Sequence, residues 1–228
     1  MQCAAAAGNL ARMKVLRLLP FFLLAVSGAA AQDGDAKAQQ LAREVWKASG
    51  GENWSNVKRL QFTFVVEQDG NQLMAAEHDW DLAAKTDRVK WKDKDVTVNL
   101  AAPGDDENAK AAFGRWTNDS YWLLAPLKLL DPGVKLAYEG EKELAGEKME
   151  TLRLSFEGVG LTPGDQYVLY IDPATKLVRA WDYTGKTGEP MHGTWEKYVE
   201  SGGLNLATEH NFAGRMIRLA NIQVTADH

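Results

Sequence analysis

Short segments in which apolar and polar side chains alternate, each closed by a turn signal, recur along most of this 228-residue chain. Successive side chains of a strand point to opposite faces, so this alternation specifies strands with one buried face. Their close spacing specifies an antiparallel meander. Leu60, Phe62, Phe64 and Val66 share one face of the first clear segment, and Asp69-Gly70 marks a hairpin turn. On the return, Met74, Ala76, His78, Trp80 and Leu82 share one face while Glu77, Asp79 and Asp81 share the other. Further strands are expected over 88–91, 96–100, 113–117, 134–140, 148–156, 166–171, 177–183, 192–199, 204–212 and 217–224. Asp172-Pro173, Gly185, Gly188 and Gly202-Gly203 are among the turn signals between them.

Two stretches break the period of two. Over 35–49, Ala38, Leu41, Val45, Trp46 and Ala48 recur at helical spacing, and Gly50-Gly51 is a helix stop. Over 118–133, Asp119 or Ser120 can cap one short helix and Pro126 can occupy the first turn of a second. Tyr121, Trp122, Leu123, Leu124, Leu127, Leu129 and Leu130 are more than one helical stripe can hide, so this insert must be covered on two faces. The expected class is α+β and mainly β: a curved antiparallel half-barrel, capped by an N-terminal helix and by a central helical insert that plugs its concave side.

From Met13 the chain runs through a short basic region, an apolar run over 15–26 and small residues at Ala29 and Ala31, the pattern of a secretory signal peptide cut after Ala31. The apolar run is shorter than the roughly 20 residues a membrane-crossing helix needs. Residues 1–31 therefore read as an upstream extension plus signal, and 32–228 as one domain destined for the periplasm or for secretion. The whole chain carries 26 basic and 31 acidic residues, and removing 1–31 leaves a net charge of −8. With no basic tract beyond the leader, nucleic-acid binding is a poor fit. The one cysteine, Cys3, lies in the leader, so the domain has no intramolecular disulfide, no cysteine-based zinc site and no thiol nucleophile.

Several local runs, Gly50-Gly-Glu-Asn-Trp54 ahead of Leu60-Gln-Phe-Thr-Phe64, His78-Asp-Trp-Asp81, Asp119-Ser-Tyr-Trp-Leu-Leu-Ala-Pro126, Tyr170-Ile-Asp-Pro-Ala-Thr175 and Asn221-Ile-Gln-Val-Thr-Ala226, span almost all of residues 32–228. In them the chain resembles the periplasmic lipoprotein-carrier superfamily, the LolA/LolB-like fold, and in particular its exported members of unassigned function. The resemblance implies an incomplete barrel, capped by helices, that holds acyl chains. It also implies a lipid or an acylated lipoprotein as partner, handed between donor and acceptor proteins at membrane surfaces during outer-membrane lipoprotein sorting.

The polar constellations point away from catalysis. On a strand, His78 faces inward while Glu77 and Asp79 face outward, so the three cannot converge on one ion. A metal site would need His78 to meet His192 or His210 from other strands. Tyr183-Thr-Gly-Lys-Thr187 imitates the end of a phosphate-binding loop, but Ala180 stands where its first glycine belongs. Gly158-Val-Gly160 lacks a third glycine, and no Gly-x-Ser-x-Gly elbow occurs. No catalytic residue, metal ligand or cofactor is expected. The candidate ligand-binding residues are the inward aromatics and the insert: Phe62, Phe64, His78, Trp80, Trp91, Trp116, Tyr121, Trp122, Leu124, Leu127 and Trp181. Burying an acyl chain contributes about 0.8 kcal/mol per methylene with no catalytic group. Two other readings stay open: an exported hydrolase or metalloenzyme using His78 and His192, and an envelope structural protein with a filled core.

Overall fold

The computed structural model describes the backbone of residues 27–157, 162, 164–186 and 188–227, and within its first helix the side chains from residue 35 onward. The expected leader before residue 27 lies outside the described residues. Helix α1 (Ser27–Ala48) buries Ala38, Leu41, Ala42 and Val45, the i, i+3, i+4, i+7 stripe that its sequence specifies. It stops at Gly50, whose φ of 82° is left-handed and whose missing Cβ would sit 2.1 Å from the Gly203 carbonyl oxygen. Only glycine fits there. Asn205 Nδ2 donates to the Ala48 carbonyl at 2.7 Å, satisfying one of the open acceptors of the helix end. Lys37 Nζ to Glu150 at 2.8 Å and Lys176 Nζ to Glu44 at 3.2 Å tie the helix to the sheet.

After a 3-10 turn (Gly51–Asn56), four strands form a meander: β1 (Val57–Gln68), β2 (Asn71–Asp81), β3 (Thr86–Trp91) and β4 (Lys94–Asn99). Asp69 and Gly70 both have positive φ, as the two-residue β1–β2 hairpin requires. Helix α2 (Glu107–Leu124) and a 3-10 turn (Ala125–Lys128) follow. The chain then runs through β5 (Val134–Leu144), β6 (Glu147–Phe156), β7 (Gln166–Ile171), β8 (Val178–Thr184), β9 (Met191–Thr194), β10 (Glu196–Ser201), β11 (Leu204–Phe212) and β12 (Arg215–Ala226). The strands make one antiparallel sheet in the order β4-β3-β2-β1-β12-β11-β9-β8-β7-β6-β5, with β10 paired on β11. A twisted sheet this wide must curl. Bulges sharpen the bend, one in β12 at Asn221 (φ 55°) and one in β5 at Gly140 (φ 85°). The result is the mainly β, curved half-barrel that the alternation specifies.

The chain leaves the sheet at one edge, β4, and re-enters at the other, β5, so α2 and its 3-10 turn cross from edge to edge. The main core packs α1, the C-terminal half of α2 and the 3-10 turn against the sheet. A smaller cluster places Ala112 of α2 on Ala76, Val89, Trp91 and Val98.

Three local expectations are corrected. Residues 113–117 are helix rather than strand, because α2 starts earlier than expected. The Asp106 carboxylate accepts from the Ala109 N–H at 2.9 Å and caps it. Asp119 and Ser120 therefore cap nothing; both are buried mid-helix. The single strand expected over 192–199 is two, β9 and β10, divided at the buried Trp195, whose N–H donates to the Arg179 carbonyl at 2.8 Å. Pro126 does occupy the first turn of the second helical piece.

Candidate functional site: aromatic cavities and a buried charge cluster under the crossing helix

Two cavities flank α2. One, of about 390 Å³, lies between α2 and strands β6, β7, β8 and β11, and is lined by Tyr121, Trp122, Phe156, Tyr167, Trp181, Tyr183 and Phe212 together with Thr117, Asn118 and Asp165. The other, of about 470 Å³, opens towards the start of β5 and is lined by Phe113, Trp116, Ser120, Lys128, Asp131, Pro132 and Val134. Thr117, Tyr121 and Phe156 line both, so they form the partition between them. Both volumes fall in the range of about 300–1,000 Å³ typical of small-molecule sites.

The first cavity has an unusual wall. The rings of Tyr167, Tyr183, Phe212, Trp122 and Trp181 form a closed circuit, with successive centroids 5.2, 6.3, 5.2, 4.6 and 4.9 Å apart. Strand register places four of them. Tyr167 on β7 lies opposite Tyr183 on β8, and Trp181 pairs with Gly193 on β9, which pairs in turn with Phe212 on β11. A Cβ on Gly193 would sit 2.6 Å from Trp181 Nε1 and 3.0 Å from Phe212 Cδ2, so a glycine there lets the two rings close over β9. Trp122 comes from α2. Asp165, just ahead of β7, is buried and accepts from the Tyr183 hydroxyl at 3.0 Å. Burial foremost, followed by the Asp165 charge for Tyr167 and by the hydrogen bond to Asp165 for Tyr183, pushes both phenols above their ordinary range, so both stay neutral. His210, beside Trp122 and Trp195, has its pKa pushed down to about 4 by burial, against a hydrogen bond to the Thr194 carbonyl at 2.9 Å.

Beneath the middle of α2 sits a charge cluster. His78 on β2 stacks on Phe62 of β1, with centroids 4.5 Å apart and planes 8° from parallel. Its Nδ1 lies 2.7 Å from Asp87 Oδ2 on β3, and its Nε2 lies 3.1 Å from Asp119 Oδ2 on α2. All three side chains are essentially inaccessible to water. Burial works to lower the His78 pKa, but the hydrogen bonds to Asp119 and Asp87 and their charge outweigh it, and the net direction is upward. When doubly protonated, the ring can donate to both carboxylates and join helix to sheet by charge as well as by packing. Asn118 Nδ2 donates to the second oxygen of Asp119 at 2.8 Å.

The sequence-selected residues therefore divide. Tyr121, Trp122 and Trp181 line the first cavity, and Trp116 and Tyr121 line the second. Phe62, Phe64, Trp80, Leu124 and Leu127 belong to the packed main core, Trp91 to the smaller cluster, and His78 to the charge cluster. His192 stands apart, exposed on the sheet, with its Nδ1 at 2.7 Å from Asp182. Phe156, Tyr167, Tyr183, Phe212 and Asp165 were not singled out from sequence, although inward alternation from Trp181 marks Tyr183 as its neighbour on the same face.

No family profile matches the chain. No curated protein matches it either. Solved structures do. A DUF1329 family protein from Desulfovibrio piger, 11% identical, superposes with a TM-score of 0.50 over 84% of this chain and 93% of its own length. A LolA superfamily protein from Nitrosomonas europaea, 7% identical, superposes with a TM-score of 0.52 over 82% of this chain and 94% of its own. An open antiparallel sheet that curls around a crossing helix, with both neighbours covered nearly end to end, gives this chain the fold of the LolA superfamily.

Proposed function

We propose that this protein is an exported carrier that binds a lipid or a lipidated ligand reversibly on the concave face of its half-barrel, beneath α2, without catalysis. The observation that carries this reading is the pair of cavities on the two flanks of α2, which share Thr117, Tyr121 and Phe156 in their walls. A modest displacement of α2 would merge them into one apolar trough. An acyl chain gains about 0.8 kcal/mol per buried methylene in such a trough. The LolA-type fold supports the same reading, as do the basic, apolar and small-residue pattern over 13–31 and the separate surroundings of His78 and His192, which share neither a cavity nor a hydrogen bond among the described residues. Phe62, Phe64, Trp80, Trp91, Leu124 and Leu127 would meet the chain only after α2 moves, whereas Trp116, Tyr121, Trp122 and Trp181 meet it first.

Native mass spectrometry after gentle purification should find co-purified lipid, and a fluorescent fatty acid should bind with increased emission. Thr117→Trp fills the partition from the helix side and should weaken fatty-acid binding at least tenfold while the fold, read by circular dichroism, is kept. Absence of both bound lipid and probe uptake would overturn the carrier reading.

A further inference from the structure

The closed circuit of Trp122, Tyr167, Trp181, Tyr183 and Phe212 is more specific than a greasy wall. Aromatic faces carry negative quadrupole, and five aromatic side chains packed ring against ring line one cavity. Among the described residues, the one carboxylic acid in the lining is Asp165, only 7% exposed, and no Lys, Arg or His side chain joins it in the wall. Its hydrogen-bond donor among the described residues is the neutral Tyr183 hydroxyl. A hydrocarbon tail alone would leave that carboxylate without a counter-charge, a costly arrangement. A metal ion would find a single carboxylate. A quaternary ammonium has no N–H to satisfy, spreads its charge over methyl groups and binds best to aromatic faces.

We propose that this aromatic box binds a quaternary ammonium group, with Asp165 as its counter-charge. The same chemistry is presented by a choline-type lipid head group and by free choline. The lipid version rests on the carrier reading: the head would lie in the box and its chain would pass the Tyr121–Phe156 partition into the second cavity. Affinity for the ammonium group itself does not depend on that reading.

The full chain is tested against four probes: choline, palmitoyl-lysophosphatidylcholine, palmitoyl-lysophosphatidylglycerol and palmitate, by ligand-observed NMR for choline and tryptophan fluorescence for the others. Choline should bind, and Asp165→Asn should weaken choline binding at least tenfold. A lysophosphatidylcholine affinity at least tenfold above that of the glycerol analogue supports a lipid source, and equal lysolipid affinities with retained choline binding support a soluble one. No choline binding together with equal lysolipid affinities overturns the box, and palmitate binding that persists in that case leaves the carrier reading standing. Failure of all four probes overturns both. The head-group comparison needs no substitution, and Tyr183→Phe, which removes the hydroxyl holding Asp165, is the second variant should Asp165→Asn not fold.

Discussion

At the scale of single residues, two buried histidines have their pKa values moved in opposite directions, and the difference lies in their neighbours. His78 sits between Asp87 and Asp119, so its folded-state pKa lies above its ordinary value of 6.5. The stability it contributes is fully present below about pH 6.5 and is lost as pH rises through the elevated value. His210 sits among rings and a carbonyl and is held near 4, so its contribution is present above about 6.5 and is lost as pH falls towards 4. Over that interval the loss is on the order of 3 kcal/mol. In urea unfolding, the change in stability from pH 7 to 4.5 should therefore be less unfavourable in His210→Phe than in the parent protein. Substituting His78→Phe keeps a ring stacked on Phe62 but strands two buried carboxylates, for an expected loss of about 3–5 kcal/mol at pH 6. An unchanged denaturation midpoint would rule out the charge cluster as a support of the helix. Alternation alone placed His78 inward. Its partners could not be read from it, because Asp87 is a diagonal neighbour on the next strand and Asp119 arrives from a helix that crosses the sheet.

At the scale of elements, α2 and its 3-10 turn decide whether the protein is a filled shell or a container. Leu124 is fully buried at the end of α2, in the same core as Leu41 of α1 and the inward leucines of the sheet. In a permanently filled core, Leu124→Asp buries an unpaired carboxylate at a cost of several kcal/mol, comparable with the whole stability of a domain at roughly 5–15 kcal/mol. In a carrier the helix can lift and solvate the charge, so the sheet should stay folded and take up more of a fluorescent fatty acid. Complete loss of cooperative unfolding, with no folded species that binds the probe, would place the structural reading ahead. The apolar surplus over 121–130 marked this element as covered on two faces, and the structure packs it in one core with both the sheet and α1. Its start was misread. Phe113 and Trp116 look like strand residues in a chain full of strands, and the deciding signal is the Asp106 cap with helical spacing of Ala109, Ala112 and Trp116 behind it.

At the scale of the whole molecule, the leader pattern over 13–31 predicts that the exported protein begins at or within a few residues of Gln32. Terminal mass spectrometry of the periplasmic or secreted fraction checks this, and recovery of only the full-length chain in an inner-membrane fraction would refute it. Period-two alternation, Asp-Gly and Gly-Gly turns and one helical stripe are local properties. They were enough to specify the class, most strands, the hairpin at Asp69-Gly70 and the stop of α1 at Gly50. Strand order was not local: β12 zips onto β1, more than 150 residues away in the chain, and this leaves β4 and β5 as the edges that α2 must span. The aromatic box depends on that order. Tyr167, Trp181, Tyr183 and Phe212 become neighbours only because β7, β8, β9 and β11 lie side by side with Gly193 between two rings, and Trp122 closes the circuit only because the helix crosses there. Side-chain direction along a strand follows from backbone geometry and is written in the sequence, whereas which directions converge on one space is settled by long-range pairing that no local pattern encodes.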